Sequence, residues 1–206
     1  MFAKISIVSV VILAALASSA RLPPSSTKHA LMARYIVNEA EWTSIATISV
    51  NKKIKGYPFA NLKSVADGAI GKGNGIPYLF LTPLDFSVLD LAADPRATFM
   101  MSLAQGDYCH DMGFDPMDPR CGRVILTGKV KKIEEDDVEH EVAENAVFTR
   151  HPWLKQMPPN HKFFFAKLDI ENIVVLAQFG DPQYVNVKEY FDANGDAIEE
   201  YAKLYR

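Results

Sequence analysis

The sequence predicts a mainly β, α+β domain: six or so strands with a few peripheral helices, curled into a closed or partly split barrel. Three observations predict it. Strand-like runs outnumber helical ones from residue 42 onward. The first run, WTSIATISV, alternates: Trp42, Ser44, Ala46, Ile48 and Val50 share one face, Thr43, Ile45, Thr47 and Ser49 the other. Both faces are partly apolar or small, as expected of a barrel wall that packs inside and meets a partner outside.

Ahead of this run, residues 1–20 read as a secretory signal peptide. Lys4 gives the positive start, Ile5 to Ala17 is apolar apart from two serines, and Ser18-Ser19-Ala20 offers small residues for cleavage between Ala20 and Arg21. The apolar run is short for a membrane span; a signal anchor or a buried helix is the alternative. Residues 21–27 form a polar linker, 28–191 the folded domain and 192–206 a polar C-terminal tail. The formal charge of -3 speaks against nucleic acid, which requires a basic face. With no second apolar span, the expectation is a protein without a membrane span, outside the cell or in a lysosome-like lumen.

Residues 28–41 read as a helix with Leu31, Tyr35 and Asn38 on one stripe and Met32 and Ile36 beside it. NKKIKG suits a hairpin turn, and Pro58 places the next strand's start there or the strand at an edge. GAIGKGNG (68–75) lacks the Lys-Ser/Thr ending of a phosphate loop and opens into a strand, so it reads as a flexible hairpin loop. Ile76 to Thr82 is an apolar strand. Residues 87–94 read as a short helix capped by Asp85 or Ser87, with Val88, Leu91 and Ala92 inward. Strands follow at 97–103 and 123–133, separated by a long loop at 104–122. EEDDVEHEVAENAVF (134–148) reads as a helix with acids in its first turn and a Val138, Val142, Ala146 stripe; His140 falls off that stripe, as a solvated side chain would. A final long strand puts Phe164, Ala166, Leu168 and Ile170 on one face and Phe163, Phe165, Lys167, Asp169 and Glu171 on the other.

The two cysteines, Cys109 and Cys121, flank strand-like runs. In an oxidising lumen they pair across the base of the loop; two free buried thiols are the alternative. Cys109-His110-Asp111 lacks the paired spacing of a zinc site, so no metal is expected. No nucleophile elbow is present, and neither His151 nor His161 has a companion motif, so no reaction can be written from motifs. The chain also has no N-x-S/T sequon.

Several segments in one order carry a resemblance: ARYIVNEAEWTSIATIS, GYPFANLKSVADG, GIPYLFLTPLDFSVLDLAADPRATFMMS, CHDMGFDP with a following Cys and RVILTGKV, FTRHPWL, and FFFAKLDIENIVVLAQFG. Together they resemble the CREG family, within the flavin-binding split-barrel group that includes pyridoxamine-phosphate oxidases. The resemblance implies a secreted or endolysosomal homodimer of split barrels whose flavin pocket is lost. Flavin-binding relatives grip the phosphate with basic residues on the second strand and at the start of the helix after the next strand. Here those regions offer Asn61, Lys63, Thr82 and Ser87, with Lys72 a further candidate and Val88 and Leu89 apolar where a basic pair would be expected. A phosphate needs charge-assisted donors, so no cofactor is expected. The resemblance implies N-glycans that direct lysosomal delivery; without a sequon, delivery by another receptor or plain secretion is the expectation.

The sequence therefore points to a non-catalytic homodimer acting through a protein receptor or lumenal partner in growth, differentiation or lysosomal regulation. Tyr57, Tyr78, Phe163 and Phe165 are candidates for its interface, with core packing as the alternative. The runner-up is an FMN-dependent oxidoreductase of the pyridoxamine-phosphate oxidase-like group. A third reading is a lumenal storage or cargo protein whose site is the 104–122 loop.

Overall fold

The computed structural model describes residues 22–193. The signal-peptide reading, its Ala20–Arg21 cleavage site and most of the polar tail lie outside the described residues.

Seven strands form one antiparallel sheet. They are β1 (Trp42–Ile48), β2 (Pro58–Ser64), β3 (Tyr78–Leu81), β4 (Arg96–Ser102), β5 (Arg123–Lys132), β6 (Phe164–Leu176) and β7 (Gln183–Val185). The order is β2-β1-β4-β5-β6-β3, with β7 also on β6. The two ends of the sheet curl round and meet at a single bridge, Ala66 with Tyr78, which exchange backbone hydrogen bonds of 3.2 and 2.9 Å. A barrel joined at one bridge is split. Pro58 opens an edge strand, where its missing N–H costs no ladder bond.

The inner face carries the main core: Ile45, Leu79, Phe99, Met101, Val124, Leu126, Leu168, Ile173 and Val175. The helix α1 (His29–Glu39) plugs this barrel, and every residue from Leu31 to Asn38 is buried. The stripe read from the sequence is therefore too narrow; a plug is surrounded on all sides by β4, β5, β6 and β7 and by the late helix α5 (Val187–Asp192). At the bulge between Thr127 and Gly128, a Cβ on Gly128 would lie 2.0 Å from the Asp169 carbonyl oxygen, so the bend requires glycine.

The outer face divides in two. Over the β3–β6 end lies α4 (His140–Arg150) with the turns that follow it, burying Tyr78, Phe165, Ala143, Ala146, Val147 and Leu154 in a second cluster. Tyr78 and Phe165 are thus core residues and not interface aromatics, because α4 covers the strand positions they occupy. This helix begins at His140, later than the sequence suggests: residues 134–139 form turns, where the side chain of Asp137 accepts from the N–H of Glu139 at 2.9 Å. The buried stripe is Ala143, Ala146 and Val147, while Val138 and Val142 are exposed. His140 packs edge-on against Phe165, with ring centroids 5.1 Å apart, and is not simply solvated.

The helix α2 (Phe86–Ala93) is capped by Asp85, which accepts from the Ser87 N–H at 2.8 Å. It seats on β1 through buried Asp90, which accepts from Thr47 Oγ1 and the Val50 N–H, both at 2.8 Å. Ala92 faces water; Val88 and Leu91 pack on the core. The 104–122 segment holds the one-turn α3 (Tyr108–Asp111) and a Cys109–Cys121 disulfide, with Cα atoms 5.4 Å apart. Its closed loop spans a sequence separation of 12. A Cys109→Ser/Cys121→Ser double variant is expected to lose about 3 kcal/mol of unfolding free energy by the chain-entropy account, read as a lower urea midpoint; an unchanged midpoint would show that the loop is held by its other contacts.

Candidate functional site

β2 alternates, so Asn61 and Lys63 point together toward the first turn of α2. There the side chains find protein partners. Lys63 Nζ lies 2.6 Å from Asp85 Oδ2, with side chains only 10% and 24% exposed. Asn61 Nδ2 donates to Ser87 Oγ at 3.1 Å and lies 3.5 Å from Asp85 Oδ1. Ser87 is fully buried. Thr82 Oγ1 donates to the His161 carbonyl at 2.6 Å and lies 3.3 Å from the Leu84 N–H. Asn61, Lys63 and Ser87 are brought together; Thr82 turns instead to the segment before β6. Lys72 lies in the glycine loop, a segment bonded to α1.

A flavin phosphate in this place would meet the Asp85 carboxylate beside the lysine meant to bind it. The charge that should attract the anion is already neutralised, and the Asn61 amide and Thr82 hydroxyl are committed. The residues present do not fit a flavin phosphate. The sequence named Asp85 only as a helix cap; its second role, pairing with Lys63, depends on a strand and a helix meeting in space.

The glycine loop is not a slack hairpin. It folds over Asp67, a buried carboxylate that accepts from Asn38 Nδ2 at 2.7 Å and the Gly75 N–H at 3.1 Å. A Cβ on Gly73 would sit 2.0 Å from Asp67 Oδ2. Buried Arg34 ties the loop to the C-terminal helix, donating to the Gly73 carbonyl at 2.6 Å and the Tyr190 carbonyl at 3.4 Å. The hydroxyl of Tyr190 donates to the Gly75 carbonyl at 2.7 Å. Burial pushes the Asp67 carboxyl above its ordinary 3.8, against the hydrogen bonds from Asn38 and Gly75 and the charges of Arg34 and Arg150.

Among the described residues, no histidine ring hydrogen-bonds a serine, threonine or cysteine side chain. His151 is buried with Nε2 3.0 Å from the Val65 carbonyl, a structural role. No group of three or more metal-ligating side chains is found among the described residues, and Cys109 is held in its disulfide. No described helix is long and apolar enough to cross a membrane.

The uncovered part of the outer face holds a feature that sequence reasoning only touched. Register aligns Leu62 with Ser44, Ser44 with Met100, Met100 with Ile125, Ile125 with Val174 and Val174 with Tyr184. The result is one apolar row crossing six strands, interrupted only by Ser44. Leu62 is 59%, Met100 41% and Tyr184 82% exposed, with Trp42 and Ile48 also open nearby. The signal was present in the apolar outward side of WTSIATISV, but the row requires the register of the whole sheet.

A curled antiparallel sheet closed by one bridge and plugged by a helix defines a split barrel of the flavin-binding type. The family model described as "CREG, beta-barrel" matches residues 24–192. Protein CREG1 of Mus musculus is 43% identical over 174 residues, covering 84% of this chain and 78% of that protein. Protein CREG1 of Homo sapiens is 42% identical over 176 residues, covering 84% and 79%. Among solved structures, a heme binding protein from Mycobacterium smegmatis aligns with a TM-score of 0.63 at 20% identity, over 83% of this chain and 62% of that one. A Clostridium acetobutylicum protein related to general stress protein 26, of the pyridoxinephosphate oxidase family, aligns with a TM-score of 0.53 at 12% identity, over 79% and 97%. At such identities these two show the fold alone. The chain belongs to the CREG family.

Asp85 and the buried Asp67 each give a prediction. Asp85→Ala removes a cap and leaves a largely buried ammonium unpaired, and is expected to cost about 2–3 kcal/mol in urea unfolding; Lys63→Met, which keeps the cap, should cost less than about 1 kcal/mol. Equal costs would show that neither the lost cap nor the unpaired lysine adds to the cost of breaking the pair. For Asp67, burial holds the folded carboxyl's titration above the 3.8 of an unfolded aspartate. Its destabilising contribution is absent below that pH and grows as pH rises through the folded value. The stability of the wild type minus that of Asp67→Asn should therefore fall steadily as pH rises from acid toward neutral; a signed difference that rises with pH would show a folded carboxyl held below its ordinary value.

Proposed function

We propose that this protein is a non-catalytic homodimer of the secretory or endolysosomal route that acts through protein partners in growth, differentiation or lysosomal regulation. The Lys63–Asp85 pair carries the reading: the family resemblance suggests a phosphate-binding cation on this strand, and here the lysine is already paired with a carboxylate. The outer apolar row supports the dimer. Monomeric proteins seldom leave a broad apolar patch bare, and a two-fold partner would cover this row with its own copy. The mildly acidic chain and its apolar leader support a lumenal or extracellular place over a nuclear one. An FMN-dependent oxidoreductase is the second reading; the shared barrel favours it, and the neutralised lysine opposes it.

Sedimentation at micromolar concentration tests the assembly. The wild type is expected to run as a dimer, and a Leu62→Glu/Met100→Glu variant as a folded monomer, since both side chains are exposed in the isolated chain. A monomeric wild type, or a variant that still dimerises, would contradict this use of the outer face.

A further inference from the structure

Where α4 and the turns after it cover the sheet, they leave a groove of about 1120 Å³. Part of its lining is apolar: Phe80, Phe163, Ile133, Met157, Pro158 and Pro159. The rings form a stack from the core toward the surface. Phe165 lies 4.8 Å from Phe80, Phe80 lies 4.9 Å from Phe163 at 19°, and His161 continues at 6.2 Å. Phe163 and Phe80 are only half buried, so although each packs on its neighbours in the stack, part of their ring surface stays open to the groove.

One rim of the groove is acidic. Glu134, Glu135 and Asp136 line it, at the head of a run that continues through Asp137, Glu139, Glu141 and Glu144. Two of these acids are offset: Glu134 by Lys132 at 2.5 Å, and Glu139 by Lys167. Glu135 and Asp136 stand exposed in the lining, which also holds Lys132 and Lys162. The rim therefore keeps an excess of negative charge over a bed of phenylalanine. Lys162 also holds a positive φ of 53°, a conformation a lysine rarely adopts, which turns the chain along the groove's edge.

We propose that this groove docks an extended, arginine-bearing segment of a partner protein. A guanidinium is the group that answers both halves of the site. Its flat face stacks on a phenyl ring, while its edge donates two parallel hydrogen bonds to a carboxylate such as Glu135 or Asp136. Aliphatic or proline neighbours in the segment would lie on Met157, Pro158 and Pro159. The groove is separate from the apolar row proposed for the dimer, so both can be engaged at once. This inference deepens the reading that the protein acts through protein partners, and it does not depend on the flavin site.

The test uses the full mature chain and two blocked tripeptides, acetyl-Leu-Arg-Leu-amide and its citrulline counterpart, which keeps the shape and removes the charge. Binding is followed by NMR shifts of the phenylalanine rings and of backbone amides. The arginine peptide is expected to saturate in the millimolar range with shifts at Phe80, Phe163 and residues 133–136. Citrulline, or a Glu135→Gln/Asp136→Asn variant, should weaken it about fivefold, as one exposed ion pair plus one exposed cation–π contact implies. Added salt should weaken the arginine peptide and leave the citrulline peptide unchanged. No saturable shift at the groove, shifts elsewhere, or equal binding of the two peptides would overturn the proposal. A groove that fails while the protein remains a flavin-free dimer would remove this surface alone.

Discussion

The fold depends on one closure. Ala66 and Tyr78 join the two ends of the curled sheet, and that single bridge separates an inside from an outside. The inside is then too large to be filled by strand side chains alone, and α1 is drawn in as a plug buried along its length. The bridge also fixes the start of β3 and, through Asp67 immediately after Ala66, the glycine loop that links α1 to α5. Loop, plug and C-terminal helix thus meet at one buried carboxylate, whose burial makes the network more favourable in acid than at neutral pH.

Closure also sets what the outside must do. α4 covers the β3–β6 end, and the remaining outer face carries the row from Leu62 to Tyr184. At the opposite edge β2 runs beside the start of α2, where Lys63 and Asp85 neutralise one another. A pair this shielded contributes little net stability, since desolvation offsets much of the attraction. Its consequence is electrostatic: the Lys63 ammonium is balanced by Asp85 and is not left as a free cation.

Much of this was legible in the sequence, and the failures have physical causes. Alternation in WTSIATISV and in FFFAKLDI gave strands and faces, because period-two patterning survives wherever one side is buried. Asp85 was legible as a cap from its place before an apolar run. The helix at 134–148 was drawn too early because acids suit a first turn as well as the turn before it; the chain uses them in turns and on the rim of a groove. Four glycines with a lysine suggested slack chain, whereas Gly73 is required by contact with a carboxylate six residues earlier. The short β7 left no signal, since three residues are too few for a period. The Lys63–Asp85 pair and the six-strand row were not readable, because each joins elements whose meeting is decided by topology.

The most direct test of this account is calorimetric titration of the purified native protein with flavin mononucleotide, with flavin fluorescence read in parallel. The account predicts no saturable binding at millimolar flavin, because the Lys63 ammonium is already balanced by Asp85. Tight, stoichiometric binding would contradict it, and would show that the pair opens to admit a phosphate.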